Sequence, residues 1–130
     1  MLNQELRSQF SIMLYSHKVE LSQVLRGELY ERGYEVFAFI DQELALNRIA
    51  EAAPHIVIFE LSSLEDPLHV FVEKVLQLNP EIQFICIAPH VELDALKEFQ
   101  DFNFTAVINH EENIPLRVAW VVEECCHRVS

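Results

Sequence analysis

Histidines and one carboxylate are the side chains best suited to chemistry: His17, Glu60, His90 and His110 fall just beyond, or at, the ends of short apolar runs. Imidazole nitrogens and a carboxylate are competent Zn²⁺ ligands, and imidazoles change charge near neutrality, so the set suggests a metal site or a pH-responsive pocket. Cys125-Cys126-His127 is a weaker candidate, because adjacent residues on a helix point in different directions and do not close around one ion. Cys86 stands alone in an apolar run. The three cysteines therefore form no framework of paired spacings and read as small buried apolar residues in a reducing compartment. The sequence contains no glycine-rich phosphate loop and no nucleophile in a triad setting, so no catalytic residue and no metal ligand is assigned.

What must position these residues is an alternation, repeated five times, of strand-length apolar runs with segments of helical period. The strands fall at residues 11–15, 35–40, 55–59, 83–88 and 105–108, each short and rich in β-branched or aromatic side chains. The first helix, residues 19–32, places Leu21, Val24, Leu25 and Leu29 on one face, and Gly33 supplies a left-handed stop. The second, residues 42–53, follows Asp41 as N-cap, turns Leu44, Ala45, Ile49 and Ala52 inward, and ends before Pro54. The third opens at Asp66-Pro67, a capping residue with proline in the first helical position, and buries Leu68, Phe71, Val72, Val75 and Leu76. A short, less regular fourth helix covers residues 92–100, and a fifth runs from about Pro115 almost to residue 130.

Right-handed crossovers between parallel strands then predict an α/β fold, a doubly wound five-stranded sheet of order 2-1-3-4-5 with helices on both faces. Any site should lie at the carboxyl ends of strands one, three, four and five. With strands about 4.8 Å apart, His17 and His110 start roughly 14 Å from each other, too wide for easy shared coordination, so exposed loop histidines are the plainer expectation.

At 130 residues the chain fits one domain, and with 51% hydrophobic residues and only 2 glycines it is neither disordered nor collagen-like. A formal charge of −12, with no cluster of Lys or Arg to offset it, repels a phosphate backbone, so direct nucleic-acid binding is not expected. No apolar run approaches the roughly 20 residues that span a bilayer, and residues 1–10 lack the basic and apolar regions of a signal peptide. A cytoplasmic protein without membrane contact is expected.

Glu31-Arg32-Gly33-Tyr34-Glu35-Val36 resembles the turn into the second strand of bacterial receiver domains, the phosphoacceptor modules of two-component response regulators. Leu44-Ala45-Leu46 and Pro54-His55-Ile56-Val57-Ile58-Phe59-Glu60-Leu61 resemble their second helix and third strand, and the likeness covers nearly the whole chain. It implies a flavodoxin-like, receiver-like domain over residues 11–130 behind an N-terminal extension, residues 1–10. In that family two acidic residues close the first strand and an aspartate closes the third. Together they hold Mg²⁺ while the aspartate attacks a phosphoryl donor.

Here Ser16 and His17 stand where the acidic pair belongs, and Glu60 stands for the aspartate. Ala88 replaces the strand-four Thr or Ser that binds the phosphoryl group, and Asn109 replaces the strand-five lysine, with His110 for the proline after it. Ala106 replaces the aromatic switch residue. Phosphoryl transfer needs metal and fixed positive charge to neutralise the equatorial oxygens, so a pocket lacking the acidic pair and any facing cation reads as degenerate. Glu60 is open to three readings: a solvated acid without a role, a partial imitation of the phosphorylated state by a longer carboxylate, or a residual acceptor or ligand-binding group. Flavin mononucleotide is disfavoured, because Ser16-His17-Lys18-Val19-Glu20 contains no glycine for a phosphate loop, and no cofactor is expected.

On the fifth helix Val118, Val121, Val122, Cys125 and Val129 share the face assigned to the core. Leu116 and Trp120, four residues apart, lie opposite, among Arg117, Glu123, Glu124, His127 and Arg128. A water-facing tryptophan beside arginine is a frequent interface anchor; the alternative is a tryptophan lying back over its own domain. Receivers commonly dimerise or bind targets through the fourth helix, fifth strand and fifth helix, so the resemblance implies Leu116, Trp120 and Ala106 as contact residues. The resulting expectation is a pseudo-receiver, a non-enzymatic module that signals without phosphorylation by binding another signalling protein or itself. Two other classes compete with it: an active receiver in a phosphorelay, and a ligand or metal sensor using His17, Glu60, His90 and His110.

Overall fold

The computed structural model describes residues 9–88, 106–109 and 113–129. Among them the apolar runs become β1 (Ser11–Tyr15), β2 (Glu35–Phe39), β3 (Ile56–Glu60), β4 (Gln83–Ala88) and β5 (Ala106–Asn109). Between and after them lie α1 (Val19–Glu31), α2 (Gln42–Glu51), a 3-10 turn (Leu61–Ser63), α3 (Leu68–Leu78) and α4 (Ile114–Val129). All strands pair in parallel in the order β2-β1-β3-β4-β5, as the crossover rule requires. The helix α4 is the fifth one expected from the sequence; the candidate at residues 92–100 lies outside the described residues.

Alternation along the strands divides the core into two layers. Ile12, Leu14, Ile56, Ile58, Ile85, Ile87 and Ile108 face one side and meet α1 and α4 through Leu25, Leu29, Val118, Val122 and Cys125. Met13, Tyr15, Val57, Phe59, Phe84, Cys86 and Ala88 face the other and meet α2 and α3 through Ala45, Ile49, Phe71, Val72 and Val75. Every residue of β3 is buried, because this central strand is covered on both faces.

Caps fix the helix ends. Gly33 has φ of 96°, the left-handed conformation that suits glycine, and the Tyr34 N–H donates back to the Leu29 carbonyl at 3.1 Å to close α1. Asp41 caps α2 by accepting from the Leu44 N–H at 3.0 Å. At α3 the expected arrangement is corrected: Pro67 itself occupies the N-cap and Leu68 starts the helix. The Asp66 carboxylate instead accepts from Gln42 Nε2 and Lys74 Nζ, both at 2.8 Å.

Several inward assignments are also corrected. Val24 and Leu44 are exposed, because α1 buries the narrow stripe of Ser22, Leu25 and Leu29, and α2 buries Gln42, Ala45 and Ile49. A neighbour about 100° round the helix from such a stripe faces water. Ala52 forms the C-cap of α2 and is exposed rather than inward. The second strand ends at Phe39, with Ile40 turned outward beside the Asp41 cap. The third runs one residue later than expected, from Ile56 to Glu60; the His55 backbone still bonds to Ser11 and Gln83, and its ring Nδ1 accepts from the Ser11 N–H at 3.1 Å.

Candidate functional site

The sheet brings the carboxyl ends of β1, β3, β4 and β5 together. Glu60 is the last residue of β3 and pairs in register with Ile87, and Ala88 pairs with Asn109. Ser16 and His17 follow directly on β1, where the Ser16 N–H donates to the Phe39 carbonyl at 3.2 Å. Ser16, Glu60 and Ala88 are all buried, whereas His17 is exposed. The side chain of Asn109 and all of His90 and His110 lie outside the described residues.

Glu60 corrects the expectation of a solvated acid, since its exposure is 0%. A buried carboxylate needs partners to offset lost hydration, and among the described residues Ser62, Ser63 and Lys18 supply them. Ser62 Oγ and Ser63 Oγ donate to Oε1 at 2.7 and 3.0 Å, and Lys18 Nζ lies 3.3 Å from Oε2. The 3-10 turn at Leu61–Ser63 folds both serines back over the strand end that precedes them. Lys18 overturns a second expectation, that no cation faces the pocket. Its ammonium enters from the loop after β1, whereas the lysine that the resemblance implies would stand at the end of the fifth strand, at Asn109.

The neighbouring groups tie the loop after β1 to the 3-10 turn. Ser63 Oγ also accepts from the His17 N–H at 2.9 Å, and Ser16 Oγ accepts from the Lys18 N–H at 3.0 Å. Tyr15 donates its phenolic proton to the Ser63 carbonyl at 2.6 Å while its oxygen lies 3.1 Å from His17 Nε2. Because the tyrosine's one proton is already committed, Nε2 of His17 is the donor in that second contact. Burial, with Glu65 and Asp41 adding negative potential, pushes the Tyr15 hydroxyl up to about 12, so it remains a neutral donor at ordinary pH.

Chemically, the pocket contains a carboxylate that is already neutralised and hydrogen-bonded. Ser16 and His17 provide no second carboxylate at the end of β1. Among the described residues no group of three or more His, Cys, Asp or Glu side chains could hold a metal ion. Sequence reasoning named Ser16, His17, Glu60 and Ala88 but missed Lys18, Ser62 and Ser63. A usable signal was present, since Lys18 is the one cation within three residues of the β1 terminus, and two hydroxyls follow Glu60 within three residues.

Away from the strand ends, α4 exposes Leu116 and Trp120, 57% and 60% of their surface, as the helical period predicts. The guanidinium of Arg117 lies 5.2 Å from the Trp120 ring centroid, within cation–π range. Ala106 is only partly buried and packs against the core layer beneath α4. Among the described residues no helix is long and apolar enough to cross a membrane.

No protein-family model and no curated protein matches the sequence. Solved structures do match. A CheY-like response regulator receiver domain from Methanospirillum hungatei JF-1 superposes with a TM-score of 0.82 at 17% identity, over 92% of this chain and 94% of that one. The chemotaxis response regulator CheY4 of Vibrio cholerae gives 0.78 at 15% identity, over 89% and 98%. A signal receiver domain from Vibrio parahaemolyticus gives 0.80 at 14% identity, over 91% and 90%. The chain has the receiver fold. Within the receiver fold Glu60 stands at the end of the central strand, and the Lys18 ion pair occupies the space beside it.

Proposed function

We propose that this chain is a receiver-like signalling module of the bacterial two-component kind, which works in the cytoplasm by protein contact and not by accepting a phosphoryl group. One observation carries the reading: Glu60, at the position the resemblance gives to the phosphoacceptor, is fully buried and held by Ser62, Ser63 and Lys18. A carboxylate attacking a phosphoryl donor needs a free oxygen lone pair and a divalent cation bridging it to the incoming group. Glu60 has one oxygen accepting from two hydroxyls and the other 3.3 Å from an ammonium, with serine and histidine where cation-binding acids would sit. Freeing it would separate a buried charge from its partners, which is unfavourable. The pocket is therefore occupied by its own ion pair, and the domain acts as a contact surface without enzymatic turnover. The exposed Leu116–Trp120 face of α4 is the surface offered to a partner.

Incubation of the protein with acetyl phosphate and Mg²⁺, followed by intact-mass spectrometry, tests this. The expected result is an unmodified chain. A stoichiometric phosphoryl adduct mapped to Glu60 would establish the active-receiver alternative instead.

A further inference from the structure

We propose that the outer edge of β2 is a docking site for an extended segment of a partner protein, an apolar strand that carries two consecutive acidic residues. This edge lies at the far end of the sheet from β5, so the inference stands whether or not Glu60 accepts a phosphoryl group. Among the described residues β2 pairs only with β1, in unbroken register from Glu35 to Phe39. The Phe39 carbonyl faces β1, where it accepts from the Ser16 N–H. Alternation therefore turns the N–H and C=O groups of Val36 and Ala38 away from the sheet. Edge strands are commonly guarded by a lysine, a proline or a bulge. The strand β2 has none of these, and its one charge is on its first residue, Glu35. Main-chain groups left open in this way pair with an extended chain.

The side chains around the edge define what that chain must carry. On the α1 side, Ala38 and Ile40 form one wall of a cleft, and Val19, Ser22, Gln23 and Arg26 form the other. On the α2 side, the Arg48 guanidinium lies 4.2 Å from the Phe37 ring centroid, with Leu44 one turn earlier on the same helix face. Val19, Ile40 and Leu44, with Tyr30 further along the same stripe of α1, are four of the eight exposed large apolar side chains described, so exposed apolar surface gathers here. Among the described residues neither Arg26 nor Arg48 has an ion-pair partner, and the buried Nε of Arg48 has no hydrogen-bond acceptor. One arginine thus stands on each face of β2, beside the adjacent residues Phe37 and Ala38. Successive side chains of an added strand point to opposite faces. Two acids in a row therefore reach both guanidiniums, while β-branched residues before and after them cover Val19, Ile40 and Leu44.

A second copy of this chain fits the edge less well. Its β2 offers one acid where two are needed, and a two-fold axis through the strand would bring both copies of Arg26 together. The formal charge of −12 also opposes a densely acidic partner, which confines the acids to these two positions within an apolar stretch.

The test adds a blocked peptide, Thr-Val-Ile-Asp-Glu-Val-Ile-Thr, to the isotope-labelled full chain and follows backbone amides by NMR. Binding is expected with Kd on the order of 100 µM, with shifts and slowed hydrogen exchange centred on the amides of Val36 and Ala38. Replacing both acids of the peptide with lysine should weaken binding at least about tenfold. Methylating the peptide's alternate, edge-facing amides should abolish it while every side chain is kept. On the protein, Arg26→Glu and Arg48→Glu should each weaken the acidic peptide and favour the lysine one. Ala38→Pro removes an outward N–H at a position where an edge strand tolerates proline, and should abolish binding in a chain that circular dichroism shows to be folded. No binding at about ten times the expected Kd, equal binding of the lysine peptide, or shifts centred elsewhere would overturn the proposal. So would protection of the Val36 and Ala38 amides that rises with protein concentration in the absence of peptide, which would make a second copy the occupant.

Discussion

At the residue scale, the state of Glu60 depends on one half-exposed lysine. Lys18 is 54% exposed while the carboxylate it meets is 0% exposed, so solvent screens the pair on one side only. Removing the ammonium would take away the one cation described beside this buried charge, while the serine donors stay. Lys18→Met is therefore expected to destabilise the domain by about 1–2 kcal/mol, less than for a fully buried pair because water still reaches the lysine side. In a Glu60→Gln background the same change should cost less than about 0.5 kcal/mol, since no charge then needs neutralising. Urea unfolding of the four chains in that cycle measures the coupling, and equal costs in the two backgrounds would show that Lys18 acts elsewhere. The position of Glu60 was legible in the sequence because a β-rich run ends there. Its burial was not, since it depends on a 3-10 turn folding Ser62 and Ser63 back and on a lysine reaching across from another loop. Strand periodicity does not encode such contacts between loops.

At the element scale, the sequence located the helices but overstated how wide their buried faces are. Apolar residues adjoining the core stripe, Val24 on α1 and Leu44 on α2, fit the inward period but face water. Polar residues on the stripe itself, Ser22 and Gln42, are the ones buried. Gln42 shows why: its side chain donates to Asp66 and accepts from the Glu65 N–H at 2.9 Å, fastening the start of α2 to the segment before α3. This link between distant segments leaves no periodic trace. On the outer side of α1, Gly27 sits mid-helix with nothing within 4 Å of where a Cβ would project. Glycine in a helix interior leaves more conformational freedom to be lost on folding than alanine, and here no close approach requires it. Gly27→Ala should thus raise stability by about 0.5–1 kcal/mol with the fold unchanged. A lower denaturation midpoint in that variant would contradict the open environment described.

At the scale of the whole molecule, the order 2-1-3-4-5 followed from five alternations and the handedness of crossovers, with no residue-level chemistry required. What the fold does with its strand ends is a separate matter, since one scaffold can host either a reactive or an inert pocket. The cysteines offer an independent view of how its two layers cohere. Cys86 lies in the layer under α2 and α3, whereas Cys125 and Cys126 lie in the layer under α1 and α4, and all three are buried thiols outside any disulfide. Burial, reinforced by Glu60, pushes the Cys86 thiol well above its ordinary range, so it does not react while enclosed. Brief exposure to a thiol-alkylating reagent at rising urea thus turns the three sulfur atoms into paired clocks, one for each side of the sheet. Because β3 is shared by both layers, both sides are expected to become alkylated along a single common curve. Earlier capture of Cys125 and Cys126 would instead mark the α1 and α4 side as the one that peels away first.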